Sequence, residues 1–132
     1  MNRPNRLQSL VDLMDDLNHG RISSLEATQG RLETTRIWQP AINAFVSIDE
    51  DQAIQSANNA DAARLRGEQG LLLGAPLAHK DMFMRQDGYS SGGSAILGEL
   101  QGNDDATVIS RLNSAGAIEV GRLNMSEFAA GP

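Results

Sequence analysis

Residues 71–81 read LLLGAPLAHKD, an apolar run broken by Gly74-Ala75-Pro76 and closed by Lys80-Asp81. Proline cannot donate to a sheet ladder, so within a strand it belongs at the first position or on an edge. The run therefore predicts a strand that begins or bends at Pro76 and ends near Lys80. Immediately upstream, residues 50–66 (EDQAIQSANNADAARLR) place Ala53, Ala57, Ala60 and Ala63 near one face. That spacing predicts a helix that packs closely, because its contact residues are small. Before it, AINAFVSI (41–48) is short, apolar and partly β-branched, and reads as a strand. Downstream of a Gly-Ser stretch and a loop, a helix is expected from about Asp104 or Asp105. Val108, Ile109 and Leu112 face inward on it, and Gly116 stops it. AIEVG (117–121) reads as a further short strand, and MSEFAAG (125–131) as the opening of another helix. Strand, helix, strand, loop, helix, strand is the signature of an α/β fold with a largely parallel or mixed sheet.

The first forty residues have a different period. Leu7, Leu10, Val11, Met14 and Leu17 recur at helical spacing, with Asp12, Asp15, Asp16 and Asn18 between them. His19-Gly20 closes that helix, the glycine taking the left-handed cap and His19 facing the end carbonyls. Ser23 stands three residues before Glu26, a capping-box pattern that starts a second helix running to about Trp38, where Pro40 stops it. A helical hairpin over residues 5–38 follows. The chain thus divides into an N-terminal helical region (1–40) and an α/β region (41–132). A sheet of about three strands with an open edge is small for a free-standing domain, and the chain stops on Gly131-Pro132 just past a helix start. The expectation is the N-terminal part of a longer protein.

Composition limits what such a chain can do. Its 132 residues carry a net charge of −6, which argues against binding phosphate backbones or anionic lipid non-specifically. Cysteine is absent, so no disulfide framework or thiolate metal site exists. The N-terminus has no continuous apolar segment and is neither a signal peptide nor a membrane span, so a cytoplasmic protein is expected.

Lys80 is the single lysine of the sequence. At the end of an apolar strand, desolvation can strip its proton and make it a general base for a serine. The commoner outcome of such a pattern is a lysine whose stem lies along the strand and whose head pairs with an acid such as Asp81. GYSSGGSAIL (88–97) offers Ser90, Ser91 and Ser94 as nucleophiles. It lacks both the phosphate-cradle order and the leading glycine of a nucleophile elbow, and a flexible backbone run accounts for it best. His79 points to the opposite side of the strand from Lys80. Two isolated histidines among scattered carboxylates give no metal site. Asp15-Asp16 fit a solvated helix face, and Asp104-Asp105 a helix N-terminus.

Taken in order, INAFVSID, the alanine-rich helix, LGAPLAHKD, SSGGS and DATVISRLNSAGAIEVGRLNMSEFAAG resemble the amidase signature family, from about residue 22 onward and most specifically over 74–131. The resemblance implies an α/β/α fold around a large mixed sheet. It also implies hydrolysis of carboxylic amides by a Ser-cisSer-Lys triad with no metal or cofactor. The family's basic lysine falls on Lys80. Ser94, fourteen residues after it with Gly93 in front, matches a separate non-catalytic element. Both serines of the triad are therefore expected beyond Pro132, and this chain alone is expected to be inactive. Phe128 matches a segment that approaches the substrate pocket. The sequence has KDMF where many relatives have K-D-N, and AAGP where the A subunit of tRNA-dependent amidotransferases continues with Gly-Ser. Both differences favour a stand-alone amidase acting on a small-molecule amide. The amidotransferase component is the alternative, as is a non-catalytic module if the chain ends naturally at 132. No direct nucleic-acid or membrane partner is implied, and a homodimer is allowed.

Overall fold

The computed structural model describes residues 8–86, 88–96 and 100–131. Leu7, placed on the first helix by its spacing, lies outside them. Helix α1 spans Leu10–Asn18 and starts where Ser9 Oγ accepts the Asp12 backbone N–H at 3.1 Å. His19 Nδ1 reaches the Asp15 carbonyl at 2.8 Å, so the expected contact with the helix end is present. Helix α2 (Ser24–Ile42) opens with the capping box: Glu26 N–H donates to Ser23 Oγ, and Ser23 N–H to the Glu26 carboxylate.

Pro40 does not stop α2. It sits in the last turn, where its ring removes a single ladder bond, and the helix runs on to Ile42. Asn43 then closes the helix in the left-handed conformation, its N–H bonded to the Gln39 carbonyl at 2.8 Å. The Gln39 side-chain amide both donates to the Phe45 carbonyl and accepts the Phe45 N–H, tying the helix end to the next strand. Strand β1 is consequently only Phe45–Ile48, shorter than the expected 41–48.

Helix α3 (Glu50–Leu65) buries Ala53, Ala57, Ala60 and Ala63, as its spacing implies. Strand β2 runs from Pro76 to Lys80. Tyr89–Ser90 (β3) and Leu100–Gln101 (β4) pair antiparallel, where the sequence suggests only a loop. Two-residue strands are too short to carry a periodic signal. Helix α4 (Thr107–Ser114) starts later than expected, and Asp104-Asp105 do not form its first turn. Asp105 instead accepts the Gln86 N–H at 3.0 Å, an acid used to hold a loop. Ile109 is fully buried while Val108 turns outward, correcting its expected inward placement. Gly116 ends the element with φ +89°, and a Cβ there would stand 2.8 Å from the Leu73 Cα. Only glycine fits.

Strand β5 (Ile118–Leu123) is the centre of the sheet, whose order is β1-β5-β2. β1 pairs with it antiparallel and β2 parallel, so the sheet is mixed. Ile118 and Val120 pack with Leu32 of α2 and Ala53, Ala57 and Ala60 of α3 in one apolar layer. The small alanine faces let both helices lie close on the strands. The expected helix at MSEFAAG is a single 3₁₀ turn, Glu127–Ala129. Phe128 and Ala129 there have φ of 51° and 57°, and the Phe128 N–H is committed to the Gly92 carbonyl at 2.8 Å. That tertiary bond replaces the helical one.

Candidate active site

In parallel α/β pairs, ligands gather at the carboxyl ends of the strands. The end of β2 carries Lys80, and Leu123 of β5 is its partner in register. Alternation along β2 sends Lys80 to the side of Ala78, which packs against the helix layer, and sends His79 and Asp81 to the other side. Lys80 is exposed, and its Nζ donates to the Asn124 carbonyl at 2.8 Å. Asn124 is itself fixed, its N–H bonded to the Ala44 carbonyl and its amide to the Asn43 carbonyl. Among the described residues Lys80 has no carboxylate partner.

Asp81 is not the partner of Lys80. Buried at 4% exposure, it accepts from Arg122 Nη1 at 3.2 Å through Oδ1, and from the Ser91 N–H and Oγ at 3.0 and 2.6 Å through Oδ2. Its own N–H donates to the Leu123 carbonyl, and its carbonyl accepts from Ser90 Oγ and the Gly92 N–H. One residue thereby joins the end of β2, strand β5 and the Gly-Ser loop. These bonds tie the described part of the loop to the strand ends, and its glycines permit the close approach to neighbouring backbone.

The three serines are engaged elsewhere than at Lys80. Ser90 and Ser91 are bound to Asp81, while Ser94, buried, donates to Glu127 at 2.7 Å and accepts the Ile96 N–H at 3.2 Å. Gly93, φ +71°, lets the loop lie on the backbone of residues 125–126. The loop and the 124–131 segment therefore brace each other next to Lys80. Phe128 lies on that segment, 56% exposed, with its ring beside Gly92.

On the far face of β2, His79 is buried with Nε2 at 3.9 Å from Glu119, whose other oxygen takes Arg85 at 3.0 Å. Burial pushes the His79 pKa down from its ordinary value, Arg85 and Arg122 adding to the effect against Glu119. A neutral imidazole at that distance forms no ion pair. Beside this cluster a cavity of about 290 Å³ is lined by Asp81, Arg85, Tyr89, Ser91 and Arg122, and Lys80 is not part of it. A larger hollow of about 620 Å³ lies at the far end of α3, around Arg64, Gly67 and Leu71, and carries none of these residues. No group of three or more His, Asp or Glu among the described residues is placed to hold a metal ion, and no described helix is long and apolar enough to cross a membrane.

The family model described as Amidase matches residues 25–132. The chain belongs to the amidase family. It is 46% identical over 123 residues to the A subunit of the glutamyl-tRNA(Gln) amidotransferase of Pseudomonas syringae pv. syringae (strain B728a), an alignment covering 93% of this chain and 26% of that one. Its backbone matches the peptide amidase of Stenotrophomonas maltophilia with a TM-score of 0.86 at 30% identity, covering 96% of this chain and 26% of that one. An inhibitor-bound chain from a vestigial complex tied to the origins of an s-triazine catabolic enzyme matches at TM-score 0.87 and 34% identity, covering 93% and 27%. The chain thus spans about a quarter of the length of the relatives it matches.

Within this family frame the sequence points to Lys80 and Phe128, which the fold sets on two segments braced by one loop. It gives no weight to Arg122, Glu127 or the Asn124 carbonyl. A signal for Arg122 exists: AIEVGRL (117–123) is apolar apart from Glu119 and Arg122, and a charged side chain inside such a strand must find a buried partner.

Proposed function

We propose that the protein carrying this region hydrolyses carboxylic amides, with Lys80 as the general base of a Ser-cisSer-Lys triad whose serines come from polypeptide outside these 132 residues. The observation that carries this reading is the setting of Lys80. It stands at the carboxyl end of a parallel strand with its amine held only by a neutral carbonyl among the described residues. Lys80 is exposed here, so the desolvation that a neutral amine needs is assigned to polypeptide outside these 132 residues. A neutral Lys80 amine takes the proton of the bridging serine, which takes that of the nucleophilic serine as it attacks the amide carbonyl. The proton returns to the leaving amine as the C–N bond breaks, and water then releases the acyl group as the acid. Phe128, exposed on the segment beside Lys80, is assigned to the wall of the substrate pocket. The substrate is a small-molecule amide and the compartment is the cytoplasm.

The test is Lys80→Met in the full-length protein. A loss of roughly 10³-fold or more in kcat/KM with an unchanged circular dichroism spectrum is expected. Turnover within tenfold of wild type removes Lys80 from the mechanism. Phe128→Ala should raise KM more than it lowers kcat. The 132-residue chain by itself should release no ammonia from any amide.

The 46% identity to the A subunit of a glutamyl-tRNA(Gln) amidotransferase supports a second reading, in which the protein is the corresponding amidotransferase component. The departures at Met82 (KDMF) and Ala130 (AAGP) weigh against it. Glutamine hydrolysis that appears only with added partner proteins and charged tRNA would decide for that second reading.

A further inference from the structure

Arg122 is 7% exposed near the end of β5, whose Ile118 and Val120 are core residues. A guanidinium is costly to bury, and here its Nε has no hydrogen-bond partner among the described residues. An apolar side chain of similar length would fill the position without that cost. What Arg122 does is hold Asp81, at 3.2 Å, and cap the Phe83 carbonyl at 2.9 Å through Nη2. With Ser91 on the second oxygen, the Asp81 carboxylate is fully engaged on the far face of β2.

That engagement has a chemical consequence one residue away. A free carboxylate next to a lysine holds the lysine protonated, and a protonated lysine cannot act as a base. We infer that Arg122 is a positioning residue for the Lys80 base, keeping the Asp81 carboxylate on the opposite face so that, among the described residues, the Lys80 amine meets only the neutral Asn124 carbonyl. The inference rests on Lys80 being that base. The other charged groups nearby are engaged or face away. Arg85 and Glu119 neutralise each other beside His79, and the Glu127 carboxylate on the bracing segment takes Ser94 Oγ. Asp49 and Tyr89 line the cavity next to Arg122, on the side away from Lys80. Asp81 is the carboxylate adjacent to Lys80 in the chain, and Arg122 is its one cationic partner among the described residues.

In the full-length protein, ¹³C-lysine labelling compared with the Lys80→Met variant identifies the Lys80 Cε signal, whose shift follows its protonation against pH; Lys80 is the single lysine of these 132 residues. Arg122→Met leaves Asp81 without a cation and should move the midpoint up by roughly one pH unit. Asp81→Asn leaves the guanidinium unneutralised and should move it down. The double variant should return it near the wild-type value. Opposite signs for the two single variants are the decisive result, since general loosening of the fold would move both the same way. Unchanged midpoints, or shifts of one sign, overturn the inference. If Arg122→Met does not fold, Arg122→Gln, which keeps a hydrogen-bond donor without the charge, takes its place, and the same opposite signs are required. Lys80→Met in the full-length protein separates the two claims. Opposite shifts together with full activity of that variant would leave the pairing intact and remove the base.

Discussion

Gly93 lies so tightly on the Met125 backbone that a Cβ at position 93 would stand 2.8 Å from the Met125 carbonyl oxygen. The same residue holds φ at +71°, a region that side chains disfavour. Both facts come from one requirement, that the Gly-Ser loop and the segment after β5 touch next to Lys80. Gly93→Ala is therefore expected to cost about 1–3 kcal/mol of stability, through strain and loss of the Gly92–Phe128 bond. Urea unfolding measures it. On the proposed amidase function, the full-length protein should also lose activity, because the segment bearing the Asn124 carbonyl shifts. A variant with wild-type stability and an unchanged Phe128 amide resonance would mean that the two segments do not brace each other.

Asp61 on α3 serves the start of α2. Its two oxygens accept the Ser24 and Leu25 N–H groups at 2.7 and 3.0 Å, donors that a helix N-terminus otherwise leaves unpaired. Arg64 holds the same junction, donating to Ser24 Oγ at 3.1 Å and to the Leu73 carbonyl at 2.6 Å. Asp61→Ala should destabilise by about 1–3 kcal/mol, and Asp61→Asn by less, because the amide keeps one acceptor. Equal losses for the two variants would show that charge, not the acceptor pair, matters here.

The alanine face of α3 sets how near the helices lie to β5. Ala57 has no exposed surface and packs with Leu32, Ile118 and Val120. Ala57→Leu inserts three carbons into a filled layer and should cost about 1–3 kcal/mol. Asn59→Ala, on the exposed face of the same helix, should change stability by less than about 0.5 kcal/mol. If Ala57→Leu is tolerated equally well, the close packing that its spacing implies is absent.

Ala57 also shows which features the sequence makes legible. A four-alanine face, a strand ending on Lys80 and a glycine closing α4 are local patterns, and each appears where its spacing puts it. The end of α2 escapes a local reading because Pro40 acts against a helix, whereas Gln39 and Asn43 secure two more residues through bonds to β1 and a left-handed cap. Residues 125–131 look helical in isolation and hold only a single 3₁₀ turn, because the Phe128 N–H is taken by Gly92, far back in the chain. The Asp81 partner escapes for the same reason. Lys80 is adjacent in sequence, but strand pairing brings Arg122, 41 residues away, against the buried face where the Asp81 side chain points. Long-range pairing decides the site, and local pattern decides the elements.

His79 sets a pH dependence that follows from its burial. Its pKa in the fold lies below the ordinary 6.5 because burial disfavours the imidazolium, with Arg85 and Arg122 acting in the same direction and Glu119 against. Between the lowered value and 6.5 the unfolded chain binds a proton that the folded chain does not. Stability therefore rises with pH across that window, reaches its full value above 6.5, and falls as the pH drops below it. The steepest slope one such group can give is about 1.4 kcal/mol per pH unit. His79→Gln keeps a polar group of similar size without the titration. Unfolding free energies of both proteins between roughly pH 5 and 7.5 should diverge, the wild type losing stability on the acid side and the variant holding flatter. Carboxylates titrate mainly below this window and cancel in the comparison. Parallel curves would show that His79 accepts a proton as readily in the fold as outside it, and that the Arg85–Glu119–Arg122 surroundings tolerate an imidazolium.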